Sequence, residues 1–176
     1  MIIEIIVCII FAMAKKPKRK PEGAKEILIP FLATFLFAFY SSLPPFLPAF
    51  AIQNLMPVSV RYPILIGAVT LFLVGLILKI VSLYYLRHSF AIFVQVKEVV
   101  FSGPYAYIRH PMYTAFILMI TSVVLSQFSL AIIFVALTNI GLLYYRARLE
   151  EEALAAHDFK YREYMEHTSF LFPSLK

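Results

Sequence analysis

The fold is decided by a long apolar run at residues 62–86, which reads YPILIGAVTLFLVGLILKIVSLYYL. A helix needs roughly 20 such residues to cross the hydrocarbon core of a bilayer, and this run is longer. Lys79 is its one charged side chain and lies near its end, where a lysine can extend to the lipid headgroups. The run therefore predicts a membrane-spanning helix.

Four more apolar runs lie on either side of this stretch, and only Ser126 and Gln127 separate the last two, which predicts a tight helical hairpin. Hydrophobic types make up 61% of the 176 residues and charged types 15%, whereas a soluble domain has roughly 45–50% and 25%. This composition excludes an ordinary soluble globule and predicts one all-α, polytopic membrane domain over residues 1–176. The predicted spans are residues 1–14, 27–43, 62–86, 111–125 and 128–145.

The basic residues predict which helix ends face the cytoplasm. With the N-terminus outside, the segments 15–26, 87–110 and 146–176 would be cytoplasmic, and they hold six, three and five of the sixteen Lys and Arg. Arg61 would be alone in the outside connections, in accordance with the positive-inside rule. The net charge of +6 is therefore explained by topology, and we expect membrane lipids and no nucleic acid as partners.

The last part of the chain differs in composition from the spans. Residues 146–167, RARLEEEALAAHDFKYREYMEH, are charged and good helix formers, and their apolar positions recur at helical spacing. They predict an amphipathic cytoplasmic helix that continues from the fifth span. The apolar tail at 170–173, FLFP, is predicted to pack back onto the bilayer surface.

Polar side chains are scarce inside the predicted spans, which argues against a transporter or pump, because those proteins need ionisable groups near the bilayer midplane. They concentrate at 102–113, SGPYAYIRHPMY, and at 146–152, RARLEEE. These segments flank the predicted hairpin, so its antiparallel helices would bring them together. A site there could hold a polar cofactor and open sideways to a lipidic substrate. No metal site is predicted, because the single cysteine and the histidines outside these segments lack partners at metal-ligand spacing.

The first of these segments combines a turn with a helix start. Gly103 and Pro104 form a turn, and Pro111 begins the fourth span directly after Arg109 and His110. The free N–H groups of a helix start suit a carboxylate or phosphate, and an arginine adds a bidentate donor for the same group. The alternative is that Arg109 and His110 only anchor the chain at the membrane interface.

The second segment places two carboxylates beside an arginine. Arg146 and Glu150 are four residues apart and share a helix face, and Glu151 follows directly. Adjacent carboxylates on a helix that is leaving the bilayer could bind an ammonium or a sulfonium. The alternative is a solvated helix with ordinary ion pairs, which contribute little.

Together these residues resemble a known family. The tract GPYAYIRHPMY at 103–113, followed by R-x-x-x-E-E-x-x-L at 146–154 and YREYM at 161–165, is similar to the isoprenylcysteine carboxyl methyltransferase superfamily. That superfamily also includes integral-membrane phospholipid N-methyltransferases. The resemblance covers about residues 98–173. Membrane sterol reductases share the RHP tract, but not its pairing with the two glutamates.

The resemblance implies a methyltransferase that uses S-adenosylmethionine and acts on lipid-borne groups at the cytoplasmic membrane face. The cofactor region would be residues 98–113 and 146–173. The cofactor-binding residues carried over by motif would be Gly103, Pro104, Tyr105, His110, Tyr113 and Glu150. The catalytic residues would be Arg109, Arg146 and Glu151.

The methyl acceptor stays open between two chemistries. The carboxylate of a prenylcysteine-like or isoprenoid compound is favoured, because Arg109 and Arg146 offer two cationic contacts. A phospholipid amine would need a base, and Glu151 is the candidate. A sterol-type reductase using a reduced nicotinamide dinucleotide, and a non-catalytic lipid-binding protein, are the remaining alternatives.

The chain departs from the superfamily at one place. Many members carry an F-G-x-x-Y turn after the glutamates, whereas this chain reads His157-Asp158-Phe159-Lys160-Tyr161 and lacks the glycine. The missing glycine affects the predicted end of the helix that carries the glutamates and the predicted lid over the cofactor pocket, more than it affects the pocket itself.

Overall fold

The computed structural model describes residue 21 and residues 23–41, 56–86 and 99–173. These parts of the chain are helical and contain no β-strand, as expected for an all-α protein. The predicted first span, 1–14, lies outside the described residues. The helices are α1 (Ala24–Ser41), α2 (Val58–Leu86), α3 (Pro111–Gln127), α4 (Leu130–His157), α5 (Phe159–His167) and a 3₁₀ turn (Gly103–Ala106).

Two of the described helices, α2 and α4, are long and apolar enough to cross a membrane, and α3 is a shorter apolar helix. At a rise of 1.5 Å per residue, the 29 residues of α2 extend roughly 43 Å, more than the hydrocarbon core of about 30 Å. Phe128 and Ser129 alone connect α3 to α4. However, α3 packs mainly on α2 and α4 mainly on α1, so the tight hairpin and the count of five spans stay predictions.

Two prolines lie inside helices rather than at their edges. The second predicted span begins at residue 27, but α1 begins at Ala24, so Pro30 is past its first turn. Likewise α2 begins at Val58, before the predicted start at residue 62, and contains Pro63. Each proline removes a hydrogen bond only to the start of its helix, and the long apolar sequence that follows continues the helix in spite of it.

The interface between α2 and α3 is close at Gly75. A Cβ atom at this position would lie 2.9 Å from Cγ of Met119 and 3.0 Å from the carbonyl oxygen of Ala115. A Cβ atom at Gly67, two turns earlier, would have no atom within 4 Å. Close packing of the two helices is therefore concentrated in the second half of α2.

Lys79 does not extend to the headgroups as its position near the helix end predicts. Its side chain is only 8% exposed, and Nζ lies 5.2 Å from the ring centroid of Phe116 on α3. The prediction was wrong because α3 covers this face of α2 and offers the ammonium an aromatic ring face.

The charged C-terminal helix is two helices and not one. α4 continues past the apolar part of its sequence to His157, and α5 begins at Phe159. Asp158 between them has extended backbone angles, φ −138° and ψ 112°, and its carboxylate accepts a hydrogen bond from the N–H of Lys160 at 2.9 Å. An aspartate that caps α5 thus makes the break for which the superfamily uses a glycine turn.

The apolar tail returns to the start of α3. Ile108 and Ser169 form an isolated parallel bridge. The N–H of Arg109 donates to the carbonyl of Ser169 at 2.8 Å, and that of His110 donates to the carbonyl of Phe170 at 3.2 Å. Phe170 also packs against the buried core. The extended residues before Pro111 have N–H groups outside any helix, and the carbonyls of the tail satisfy them.

Candidate functional site

The structure brings the two polar segments of the sequence together at the junction of α3 and α4. Six of the nine predicted site residues contact one another there: Arg109, His110, Tyr113, Arg146, Glu150 and Glu151. The adjacent glutamates divide these residues into two groups. The Glu151 network consists of Arg109, His110, Arg148 and Glu151, and the Glu150 cluster consists of Thr34, Tyr113, Arg146 and Glu150.

The Glu151 network is centred on a buried ion pair. Nε of Arg109 lies 2.5 Å from Oε1 of Glu151, whose side chain is 3% exposed. Nε2 of His110 is 3.3 Å from the same oxygen, and Nη1 of Arg148 is 3.5 Å from Oε2. Neither of these longer contacts has hydrogen-bond geometry, so Nε2 of His110 and Oε2 of Glu151 are buried without a hydrogen bond within the described residues. The network therefore keeps unused hydrogen-bonding capacity.

Arg109 also holds the end of α5. Its Nη1 donates to the carbonyl of Met165 at 3.0 Å and to the carbonyl of Thr168. The last carbonyls of a helix have no partner within the helix, and an arginine side chain can satisfy them. Arg109 therefore links three elements: the start of α3, the charged end of α4 through Glu151, and the end of α5.

The residues after α5 form one wall of this junction. We call residues 168–171 the C-terminal segment. The hydroxyl of Thr114 donates to the carbonyl of Leu171. The ring of Phe170 meets the ring of His110 edge-on, with 5.0 Å between their centroids, and the Arg109 guanidinium lies 5.6 Å from the Phe170 ring. Phe170 also contacts Tyr144 and Arg148 of α4, so the C-terminal segment packs directly against the Glu151 network.

The Glu150 cluster joins α4 to α3 and α1. Oε1 of Glu150 accepts a hydrogen bond from the Tyr113 hydroxyl at 2.6 Å and one from Nε of Arg146 at 3.1 Å. The Arg146 guanidinium also donates to the hydroxyl of Thr34 at 3.1 Å and lies 5.4 Å from the Tyr113 ring centroid. The predicted shared face of Arg146 and Glu150 is confirmed. The side chain of Glu150 is 23% exposed, so this carboxylate is accessible whereas that of Glu151 is not.

Three tyrosines beside the junction are held neutral. Burial raises the pKa of the Tyr105 and Tyr161 phenols well above its ordinary value. The negative charge of Glu150 raises both pKa values further, and that of Glu151 also raises the pKa of Tyr161. Burial also raises the pKa of Tyr164 to about 12. A neutral phenol can donate, and the Tyr164 hydroxyl donates to the carbonyl of Tyr105. This bond ties α5 to the 3₁₀ turn.

The remaining predicted residues, Gly103 and Pro104, lie in the 3₁₀ turn. Gly103 has φ +62°, and a Cβ atom there would lie 2.6 Å from the ring of Tyr85 at the end of α2. The glycine is therefore required by a left-handed conformation and by close packing on α2. Pro104 follows inside the 3₁₀ turn.

Thr34 and Tyr164 contribute to the junction but are missing from the prediction. Thr34 lies in the middle of an apolar helix, where a threonine ordinarily bonds to its own backbone, as Thr34 also does to Pro30. No local signal marks its second bond to Arg146. Tyr164 was visible as part of the YREYM tract, but its partner, a backbone carbonyl, leaves no trace in sequence. Within the described residues no three His, Cys, Asp or Glu side chains are grouped as a metal site requires.

Part of the chain matches a known family. The model of the isoprenylcysteine carboxyl methyltransferase family matches residues 68–156, slightly more than half of the chain. The matched stretch begins inside α2, well before residue 98, and ends at the last turn of α4. It includes every predicted site residue and excludes α5 and the C-terminal segment. No curated protein matches the chain.

Proposed function

Because the chain belongs to the isoprenylcysteine carboxyl methyltransferase family, whose members are membrane methyltransferases, we propose that it methylates a lipidic acceptor with S-adenosylmethionine. The observation that carries the proposal is the Glu150 cluster, in which an accessible carboxylate and a buried arginine meet at the polar end of apolar helices. We propose that this end faces the cytoplasm, which the distribution of basic residues supports.

The residues present fit this cofactor by their charges. S-adenosylmethionine carries an ammonium, a carboxylate and a sulfonium, so its site needs charges of both signs. Glu150 is the exposed carboxylate suited to the ammonium, and Arg146 beside it is suited to the carboxylate. The buried Nε2 of His110 and Oε2 of Glu151 have hydrogen bonds still to make.

The arrangement supports a carboxylate as the acceptor. When bound, the cofactor supplies a methyl group whose C–S bond breaks as the C–O bond of the ester forms, and no proton has to move. The protein then has to align the acceptor with the methyl group, which requires no base at the site. An amine acceptor would need Glu151 as a base, but Glu151 is buried against Arg109.

Two other functions receive no support from these observations. A sterol-type reductase would share the RHP tract, but the family match is to methyltransferases and extends over both glutamates. A non-catalytic lipid-binding protein would not require an exposed carboxylate hydrogen-bonded to a buried arginine and tyrosine.

Binding of S-adenosylhomocysteine to the purified protein in detergent tests the proposal. We expect the wild type to bind, and Glu150→Gln to weaken binding about 10- to 100-fold, because a charge-assisted hydrogen bond is worth about 1.5–3 kcal/mol. The control is Arg148→Met, which removes a half-exposed charge outside the Glu150 cluster. Absence of binding by a folded wild type would overturn the proposal.

Methyl transfer from labelled cofactor then tests the acceptor. An S-prenylcysteine with a free carboxylate and a phosphatidylethanolamine are offered side by side in mixed micelles. We expect label in the prenylcysteine alone. Label in the phosphatidylethanolamine would keep the methyltransferase but replace the carboxylate by an amine.

A further inference from the structure

A cavity lies at the opposite end of the helices from the Glu150 cluster, where α2 begins and α3 ends. It has a volume of about 150 Å³ and is partly open to the outside. The described residues that line it are all half-buried: Met56, Arg61, Ile64, Leu125 and Phe128. Leu125 follows Tyr113 by twelve residues, so it lies about 18 Å further along α3. The cavity is therefore separate from the site proposed for methyl transfer.

The tyrosines of α2 indicate the depth of the cavity in a membrane. Tyr62 and Tyr84 are both exposed, and the distance between them along the helix axis is about 33 Å. Tyrosines favour the two interfaces of a bilayer, whose hydrocarbon core is about 30 Å thick. The two rings therefore match the two interfaces. Arg61 adjoins Tyr62, so its guanidinium is expected at the level of the lipid headgroups, on the membrane face opposite the Glu150 cluster.

Arg61 is the one charged side chain among the described residues of the cavity wall. It forms no ion pair and no side-chain hydrogen bond within the described part of the chain. Residues 27–97 and 99–149, which include α2, α3 and the start of α4, contain no Asp or Glu. These segments therefore supply no carboxylate to the guanidinium, which can bind the phosphate of a ligand through two parallel hydrogen bonds.

The rest of the cavity suits hydrocarbon, because the other described residues of its wall are apolar. A cavity of this volume holds a group about the size of benzene. It can therefore receive a short part of one acyl chain and not a whole lipid. A long basic side chain packs its methylene groups along apolar surface and keeps its charge at the edge. Arg61 can thus contact both the acyl chain and the headgroup.

We propose that this cavity binds an anionic phospholipid, with its phosphate on Arg61 and part of one acyl chain between the start of α2 and the end of α3. A headgroup whose only charge is the phosphate, as in phosphatidylglycerol, is favoured because these segments offer no carboxylate to an ammonium. The distance along α3 separates this lipid from the methyl acceptor. The proposal therefore does not rest on the methyltransferase function.

Binding of phosphatidylglycerol to the purified protein in detergent, measured by native mass spectrometry, tests the phosphate contact. The comparison ligands are diacylglycerol, which lacks the phosphate, and glycerol phosphate, which lacks the acyl chains. We expect the wild type to bind phosphatidylglycerol about 10-fold or more tightly than diacylglycerol, and glycerol phosphate not measurably. Arg61→Met should abolish this preference, because charge-assisted hydrogen bonds are lost. The matched control, Arg162→Met, changes an exposed arginine on α5 and should retain it.

Leu125→Phe tests the cavity itself. The larger side chain occupies part of the space, so phosphatidylglycerol and diacylglycerol should both bind several-fold more weakly, with the preference for the phosphate unchanged. Leu137→Phe is the matched control, since it makes the same change at an exposed position on α4. It should alter the binding of neither lipid.

Three outcomes would overturn the proposal. The first is an unchanged affinity of Arg61→Met for phosphatidylglycerol. The second is binding of glycerol phosphate as tight as that of the lipid, which would make Arg61 a site for free phosphate. The third is an equal loss in Arg61→Met and Arg162→Met, which would indicate only a general attraction of basic residues to anionic lipid.

Thermal unfolding in detergent shows whether each variant is folded. If Arg61→Met does not fold, Arg61→Lys and Leu125→Phe carry the test. The lysine keeps the charge but not the paired donors, so it should lower the preference for the phosphate by a smaller factor. An unchanged preference in Arg61→Lys, together with unchanged lipid binding by Leu125→Phe, would contradict the proposal.

Discussion

Glu150 and Glu151 are neighbours in the chain, yet they belong to two regions with different physical roles. Glu151 is buried, and Arg109 and His110 surround it. Arg109 in turn holds carbonyls at the end of α5. Glu150 faces the other side of α4, keeps part of its surface exposed and bonds to Tyr113 and Arg146. The Glu151 carboxylate stabilises the packing of α3, α4 and α5, whereas the Glu150 carboxylate is available to a ligand.

This difference teaches that a pair of acidic residues in a motif need not act as a pair. Successive residues on a helix point about 100° apart, so adjacent side chains face different neighbours. The Glu151 network joins elements that are distant in the chain, and the Glu150 cluster presents a charge at a polar surface. The following substitutions, in decreasing order of the change that each should cause, test whether Glu151 stabilises the fold while Glu150 is available to a ligand.

Arg109→Met should have the largest effect on stability. It leaves Glu151 buried without its cation and the last carbonyls of α5 without a donor, which is expected to lower the free energy of unfolding by about 3–5 kcal/mol. Thermal unfolding in detergent measures the loss. The double variant with Glu151→Gln should lose less than the sum of the two single changes, because both remove the same interaction. Additive losses would show that the network does not act as a unit.

Glu151→Gln and Glu150→Gln should then differ from each other. The first removes a buried charge from beside Arg109 and should destabilise the protein by about 3 kcal/mol. The second acts at a partly exposed position and should cost about 1 kcal/mol or less, while weakening S-adenosylhomocysteine binding. Thermal unfolding and S-adenosylhomocysteine binding, measured on both variants, test this difference. Equal losses of stability and of affinity in the two variants would contradict the separate roles of the two glutamates.

Tyr113→Phe should have a smaller effect, confined to the Glu150 cluster. The ring stays in place, but the hydrogen bond to Glu150 at 2.6 Å is lost. We expect a decrease of about 0.5–1.5 kcal/mol in stability and a several-fold weaker affinity for S-adenosylhomocysteine. Tyr107→Phe is the matched control, since that ring is highly exposed. A change at Tyr107 as large as that at Tyr113 would contradict the assignment.

Arg148→Met should have the smallest effect. Its guanidinium is 53% exposed and 3.5 Å from Glu151, at the edge of the network. Exposed ion pairs contribute about 0–1 kcal/mol, so the melting temperature should hardly move. A loss of stability comparable to that of Arg109→Met would show that the exposed Arg148 on α4 also contributes substantially to the stability of the fold.

The sequence allowed much of this molecule to be predicted. The helical class and the long apolar α2 and α4 follow from local pattern, because hydrophobic periodicity and helix-forming residues act over short distances. The approach of the RHP tract to the glutamates was expected from the predicted hairpin and not from local pattern. The shared face of Arg146 and Glu150 follows from helical spacing alone.

The remaining features depend on contacts between distant residues. The apolar tail carries no sign that Phe170 will return to His110, since extended backbone pairs through groups common to all residues. Lys79 resembles any lysine near a helix end until its neighbour α3 is known. The break at Asp158 has a capping residue, but the surrounding helix-forming sequence hides it.

The bridge between Ile108 and Ser169 has a consequence for the order in which the protein is assembled. Arg109 and Thr168 are 59 residues apart in the chain, and a ribosome adding about 5–20 residues per second makes the second about 3–12 s after the first. During this interval α2, α3 and α4 can already be inserted, but the N–H groups of Arg109 and His110 still lack the carbonyls that they will bind. The wall beside the Glu151 network is thus completed only several seconds after Arg109 itself has been made.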